Sequence, residues 1–226
     1  ELLVDLRKIK VLRNRKNWKE LNTKLKAGKI VVLDNLLTDD YLFILRNRIL
    51  NASKVDDVYN GYKGTDHSRN SDIISIMIAD NLLKKLPALD PFERAWSFIY
   101  DHNVEGVRLH ADPSIYNLNI WVTPNRCLKD KKKNGLEIYK LLPPKNWTRT
   151  DWNANPSKVE ELIKKSNVKP TKYSYKYNRG ILFNGAYFHR TAGVSMKDGL
   201  ENRRISFTML FGRQLNEEQN VERRHK

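Results

Sequence analysis

Apolar and polar positions divide this 226-residue chain into a helical first part and a strand-rich remainder. Trp18, Leu21 and Leu25 recur at helical spacing over 17–27, and Gly28 stops the run. Residues 29–33 then predict a strand. Thr38-Asp39-Asp40 can cap a helix whose apolar positions include Leu42, Ile44, Leu45 and Ile49. Residues 51–71 are polar and contain glycine, which predicts a loop of the kind that covers a site. Residues 75–86 predict a second long helix, ended by Pro87. From Arg94 the pattern shortens. Segments 94–100, 106–110, 115–122, 135–141, 173–177, 180–183, 187–192 and 203–211 are rich in β-branched and aromatic residues and bounded by Asp, Asn, Gly or Pro. Short strands at that spacing predict a sandwich or jelly roll. An insertion over 143–170 interrupts them, with a helix over 157–166 introduced by Pro156. The expected organisation is one domain over 1–226. Helical support and a first strand fill 1–93, the jelly-roll core fills 94–212, and 213–226 is a tail.

Composition narrows the class. With 40% hydrophobic residues and five tryptophans, the chain has the material for a folded globule. No apolar run reaches the length of a membrane span, and the chain does not open with a signal peptide. The lone Cys127 excludes an intramolecular disulfide and a Cys-rich zinc site, and it fits a reducing, cytoplasmic compartment. The formal charge of +16 is concentrated at Arg7, Lys8, Lys10, Arg13, Arg15, Lys16, Lys19, Lys24, Lys26 and Lys29. Further clusters are Lys129 with Lys131–Lys133, and Arg223, Arg224 and Lys226. An anionic partner such as nucleic acid is one reading, and solvated faces are the other. The clusters lack the interleaved aromatics of a single-strand stacking platform.

The candidate chemistry lies in Val107-Arg108-Leu109-His110-Ala111-Asp112. On a strand, residues two apart project to the same face, so His110 and Asp112 would point inward together. They make two thirds of the two-His-one-carboxylate facial triad that suits non-haem Fe(II). His-x-Asp is short enough to arise by chance, so context decides. His189 supplies the second imidazole from a late strand, 77 residues after Asp112. His67, His102 and His225 have no such context and are expected at the solvated surface. On the last strand Arg204 and Ser206 share a face, among Ile205, Phe207, Met209, Leu210 and Phe211. A guanidinium fork with a neighbouring hydroxyl suits a carboxylate, and an inward arginine there would be costly without an anion. A structural salt bridge is the alternative. Another Arg-x-Ser, Arg69-Asn70-Ser71, is expected at the surface.

His110-x-Asp112, His189 and Arg204-x-Ser206 together resemble the signature of the Fe(II)- and 2-oxoglutarate-dependent oxygenase superfamily, over about residues 95–212. Residues 30–37 and 119–124 also resemble the family. Trp121-Val122-Thr123-Pro124 with Gly135-Leu136-Glu137-Ile138-Tyr139 is similar to a bacterial subgroup often fused to tetratricopeptide repeats, although no such repeats occur here. That family usually has two glycines before the Leu-x-Ile-Tyr strand. The first is Asn134 here, at a turn that tolerates Asn. The resemblance implies a double-stranded β-helix core (a cupin-like jelly roll) with N-terminal α-helices, mainly β overall. It implies that His110, Asp112 and His189 hold Fe(II), and that 2-oxoglutarate and O2 are co-substrates, with ascorbate helpful in vitro. Arg204 and Ser206 would take the distal carboxylate, and Asn119 or Asn117 could donate to the same molecule. Oxidative decarboxylation to succinate would be coupled to oxidation of a further substrate. Related halogenases replace the metal carboxylate with a small residue, so Asp112 favours hydroxylation or demethylation.

Arg108 is a candidate anchor for an anionic substrate or a rim salt bridge. Trp121 is a candidate substrate contact or core residue. Tyr187 and Phe188 are expected in packing, with Arg190 and Arg203 at the surface. The substrate is open among protein side chains, small metabolites and nucleic-acid bases. Two rival readings remain: a cupin-like metal isomerase or hydrolase without 2-oxoglutarate, and a basic nucleic-acid-binding domain with a vestigial site.

Overall fold

A computed structural model describes residues 6–52, 55–67 and 72–213. The tail cluster Arg223, Arg224 and Lys226, His225 and Arg69-Asn70-Ser71 lie outside the described residues.

Three helices back the first half of the chain: α1 (Trp18–Lys26), α2 (Asp39–Leu50) and α3 (Ile73–Lys85). Two of them start at a side-chain cap. The Thr38 hydroxyl accepts from the Tyr41 amide, and the Asp72 carboxylate accepts from the Ser75 amide. The strands are β1 (Val31–Asp34), β2 (Asp57–Tyr59), β3 (Tyr62–Asp66), β4 (Phe92–Tyr100), β5 (Asn103–Val104), β6 (Ser114–Trp121) and β7 (Leu136–Tyr139). After helix α4 (Pro156–Ser166) come β8 (Thr171–Tyr173), β9 (Arg179–Asn184), β10 (Phe188–Thr191), β11 (Val194–Ser195) and β12 (Ile205–Arg213).

A seven-stranded antiparallel sheet has the order β1-β9-β6-β12-β4-β3-β2. The opposing layer is made of shorter pieces, β10-β7-β8 and β11-β5. This is the expected double-stranded β-helix with helices outside. Its layers follow from side-chain alternation. Leu118, Ile120, Leu182, Ile205, Phe207 and Met209 project from the large sheet onto α1–α3. Trp121, Ile181 and Phe183 project from the other face onto Leu136, Ile138 and Tyr175. On the outside of the small sheet, Val159 and Ile163 of α4 cover Leu109, Ala111, Tyr139 and Phe188. Phe207 is fully buried, and truncating such a side chain costs about 3–5 kcal/mol.

Four expectations require correction. Residues 51–71 were expected to form a loop, yet β2 and β3 make a hairpin through Asn60-Gly61, with Gly61 at φ +88°. Asn-Gly is a strong two-residue hairpin signal, and the polarity of the flanking residues masked it. His67 is buried rather than solvated, with Nε2 2.8 Å from the Ser97 hydroxyl. Segment 106–110 is not a regular strand; it meets β10 through an isolated bridge between His110 and His189 and a hydrogen bond from the Thr191 amide to the Val107 carbonyl at 3.0 Å. The strand expected over 173–177 lies at Thr171–Tyr173 instead. Arg190 is half-exposed and pairs with buried Glu137 at 2.8 Å, and Arg203 approaches Asp101 at 3.4 Å.

Candidate metal and co-substrate site

His110, Asp112 and His189 converge between the sheets, with their ligand atoms within 4.8 Å of one another. They converge because the bridge is reciprocal. The His110 amide donates to the His189 carbonyl at 3.1 Å, and the His189 amide to the His110 carbonyl at 2.8 Å. Asp112 is brought in by its own amide, which donates to the Gly185 carbonyl at 2.8 Å. That approach requires a glycine, since a Cβ on Gly185 would collide with the Ser114 hydroxyl.

Each imidazole is oriented by backbone. His110 Nδ1 lies 2.8 Å from the Arg108 carbonyl, and His189 Nδ1 lies 2.9 Å from the Tyr187 carbonyl. Both Nδ1 atoms therefore donate, which leaves each Nε2 as a lone-pair ligand. The two Nε2 atoms face opposite oxygens of Asp112, at 3.7 Å for His110 and 3.4 Å for His189. Burial, then the neighbouring His189, pushes the His110 pKa down to about 4, so the ring is neutral at neutral pH. Burial raises the Asp112 pKa, but the two neighbouring imidazoles, His189 first, and the hydrogen bond from Asn117 outweigh it. The carboxyl is held below its ordinary range. Two imidazoles and one carboxylate on one side are a donor set that fits Fe(II).

Asn117 Nδ2 donates to Asp112 Oδ2 at 2.5 Å. Of the two asparagines that could donate to the co-substrate, Asn117 instead bonds the Asp112 carboxylate. The period-two face of β6 was the available signal, but the choice between Asn117 and Asn119 needed the register.

The register of β6 with β12 sets the other half of the site. Trp121 faces Ser206 and Asn119 faces Thr208 across the pair. Arg204, immediately before β12, is 1% exposed. Its guanidinium lies 4.5 Å from the Tyr100 ring centroid and 6.0 Å from that of Tyr175. Nε donates to the Asn134 carbonyl at 3.1 Å, while Nη1 is buried and unpartnered. No carboxylate among the described residues pairs with it. Ser206 Oγ reaches the Tyr100 hydroxyl at 3.4 Å. Asn119 Nδ2 donates to Thr208 Oγ1 at 3.1 Å, and both Asn119 Oδ1 and Trp121 Nε1 are buried without partners. A buried guanidinium with no counterion, beside several unsatisfied polar atoms, is a cradle for a small anion with further polar groups. 2-Oxoglutarate fits that description.

Asn134 is more than a tolerated turn residue. At φ +71° it occupies the left-handed region, and its side chain bonds the Ser195 amide and the carbonyls of Ser195 and Asp130. Its carbonyl is thereby fixed against Arg204.

A cleft of about 1040 Å³ leads from His110 and Asp112 to the β2–β3 hairpin. Tyr59, Tyr62, Trp96 and Phe98 line one part of it, and Arg149, Asn153, Ala154 and Pro156 of the insertion line another. Arg108 is at its mouth, 71% exposed and 3.8 Å from Glu105. Trp121 is fully buried, stacked on Tyr175 at 5.0 Å, and does not line this cleft, which favours the core alternative over a substrate contact.

No family model and no curated protein sequence matches the chain. Solved structures do. A 2OG-Fe(II) oxygenase family oxidoreductase from Burkholderia pseudomallei superposes with a TM-score of 0.56 at 11% identity, covering 89% of this chain and 92% of that one. HygX from Streptomyces hygroscopicus, with nickel and 2-oxoglutarate bound, gives 0.58 at 9% identity and covers 90% and 89%. A Pseudomonas putida prolyl-4-hydroxylase gives 0.55 at 11% identity and covers 92% and 99%. The fold of this chain is therefore the double-stranded β-helix that these oxygenases share.

Proposed function

We propose that the protein is an Fe(II)- and 2-oxoglutarate-dependent oxygenase, most simply a hydroxylase. One observation carries the reading: Arg204 is a fully buried cation without a counterion among the described residues, on the same interior that gathers His110, Asp112 and His189. A metal isomerase or hydrolase has no use for that cation, and a vestigial site has no reason to keep it buried at such cost. Bound Fe(II) would supply dioxygen activation coupled to decarboxylation of 2-oxoglutarate to succinate. The chain would do the rest. His110, Asp112 and His189 would hold the metal from one side. Arg204 and Ser206 would fix the distal carboxylate, and the Tyr100 and Tyr175 rings would keep water from the guanidinium. The hydrophobic rings between the sheets would shield the reacting atoms.

The substrate would enter by the aromatic cleft. Besides Asp112, four carboxylates line it (Asp57, Asp66, Glu93 and Glu105) against three arginines (Arg94, Arg108 and Arg149). The +16 charge is thus not gathered at the entrance, and an anionic partner would engage the lysines of the N-terminal region and α1 instead. The lone Cys127 is buried, which suits a reducing cytoplasm. Among the described residues no helix is long and apolar enough to cross a membrane.

Succinate release from 2-oxoglutarate by Fe(II)-loaded protein in air, with ascorbate, tests the reaction class. Release that requires both iron and Arg204 supports it. Release that persists unchanged in the Arg204→Ala protein argues against the assigned clamp.

A further inference from the structure

The segment that carries two metal ligands is not part of a regular sheet, and residues 110–112 bond through their backbone to three different parts of the chain. His110 spends its amide and carbonyl on His189. The Asp112 amide goes to Gly185, and its carbonyl accepts from the Ser114 amide. Ala111, between them, faces the other way, where a sheet would supply a neighbouring strand. Here the neighbour is the insertion. A π-helical turn over Thr150–Ala154 places the Trp152 carbonyl 2.9 Å from the Ala111 amide. Asn153 Nδ2 donates to the Ala111 carbonyl at 2.8 Å.

The turn is itself braced from within. Asp151 accepts from the Thr148 amide and hydroxyl at 2.8 and 2.9 Å and from Lys158 Nζ at 2.7 Å. The Lys158 ammonium also lies 4.9 Å from the Trp147 ring centroid. Trp147 and Trp152 pack on the cluster that contains Leu109, Ala111 and Phe188, the residues flanking His110 and preceding His189. π-Turns interrupt regular hydrogen bonding and recur at functional sites.

We infer that the insertion completes the metal centre, with Asn153 as a positioning residue. Asn153 and the Trp152 carbonyl replace the missing strand, and so fix the separation and direction of His110 and Asp112. The inference rests on the metal reading above. Asn153 also lines the cleft, so the wall that meets the substrate and the brace of the ligands are one element.

The test is a Co(II) titration of the full chain, without co-substrate, read by d–d absorption beside the melting temperature of the metal-free protein. Asn153→Ala is expected to weaken Co(II) about tenfold, as loss of outer-shell support does, and to alter the band shape. Asp151→Asn, which loosens the turn without touching Ala111, should shift affinity in the same direction by less. Wild-type affinity and band shape in both variants would overturn the brace while leaving the metal reading intact, and so would a lower melting temperature with unchanged Co(II) binding. No Co(II) binding by the wild-type protein would overturn both.

Discussion

Arg204 and Ser206 stand at the start of β12, a nine-residue strand hydrogen-bonded to β4 on one side and β6 on the other. His110 and Asp112 stand in an irregular segment that meets β10 through the His110–His189 bridge and one further bond at Val107. The co-substrate end is thus held by the sheet itself. The metal end is held by individual hydrogen bonds to the Gly185 and Trp152 carbonyls and from the Asn117 and Asn153 side chains. Ladder hydrogen bonds persist when one side chain is changed, whereas an isolated bond to a ligand does not. Mutations near the metal should therefore act on geometry. Mutations at the clamp should act on one ligand's affinity and leave the metal in place.

The largest effect should follow Asp112→Ala. Turnover and Co(II) binding are both expected to fall to background, while circular dichroism stays that of the folded protein. Retained activity would remove Asp112 from the metal. Arg204→Ala comes next. Removing one partner of a buried charge pair costs about 2–5 kcal/mol, so half-saturation by 2-oxoglutarate should rise by at least about thirtyfold. Co(II) affinity measured without co-substrate should not change, and a parallel loss of both would erase the distinction between the two ends. Asn117→Ala should do the reverse. It frees Asp112 Oδ2, so metal affinity should drop about tenfold, with 2-oxoglutarate affinity preserved at saturating metal.

The smallest effect is on stability. Burial keeps His110 neutral in the folded protein down to about pH 4, while the unfolded imidazole titrates near its ordinary 6.5. Between those values the unfolded state binds more protons, so stability rises with pH across the window and is lost as pH falls through it. Buried His67, whose pKa is also lowered chiefly by burial, acts in the same direction. The metal-free protein should melt lower at pH 5 than at pH 7, and His110→Asn should flatten that slope. An unchanged slope in the variant would assign the pH dependence to other groups, His67 first.

The contrast between the two ends also explains what could be read from the residues alone. α1, α2 and α3, β6, β9 and β12 follow apolar periodicity because each packs one face on the core between the large sheet and the helices. His110, Asp112, His189 and Arg204 stood out because their chemistry is costly to bury without a purpose. The apolar residues of 106–110 read as a strand, and Leu109 is buried as in one; Val107 and His110 do bond β10, but the next residue, Ala111, bonds the insertion where a second strand would lie. His67 looked solvated because its neighbours in sequence are polar. Its partner Ser97 is 30 residues away, and no local pattern marks that contact. The brace from Asn153 to Ala111 spans 42 residues in the same way. Asn134, apparently a departure from glycine, fits for a local reason: Asn adopts positive φ and adds side-chain bonds that glycine lacks.

The most direct test joins the two ends in one signal. 2-Oxoglutarate chelating Fe(II) gives a metal-to-ligand charge-transfer absorption, which can be recorded without oxygen or substrate. The band should appear when anaerobic protein receives both Fe(II) and 2-oxoglutarate, vanish in Asp112→Ala, and require far more 2-oxoglutarate in Arg204→Ala. A wild-type protein that binds Fe(II) yet shows no band at saturating 2-oxoglutarate would contradict the assignment of Arg204 and Ser206 as its clamp.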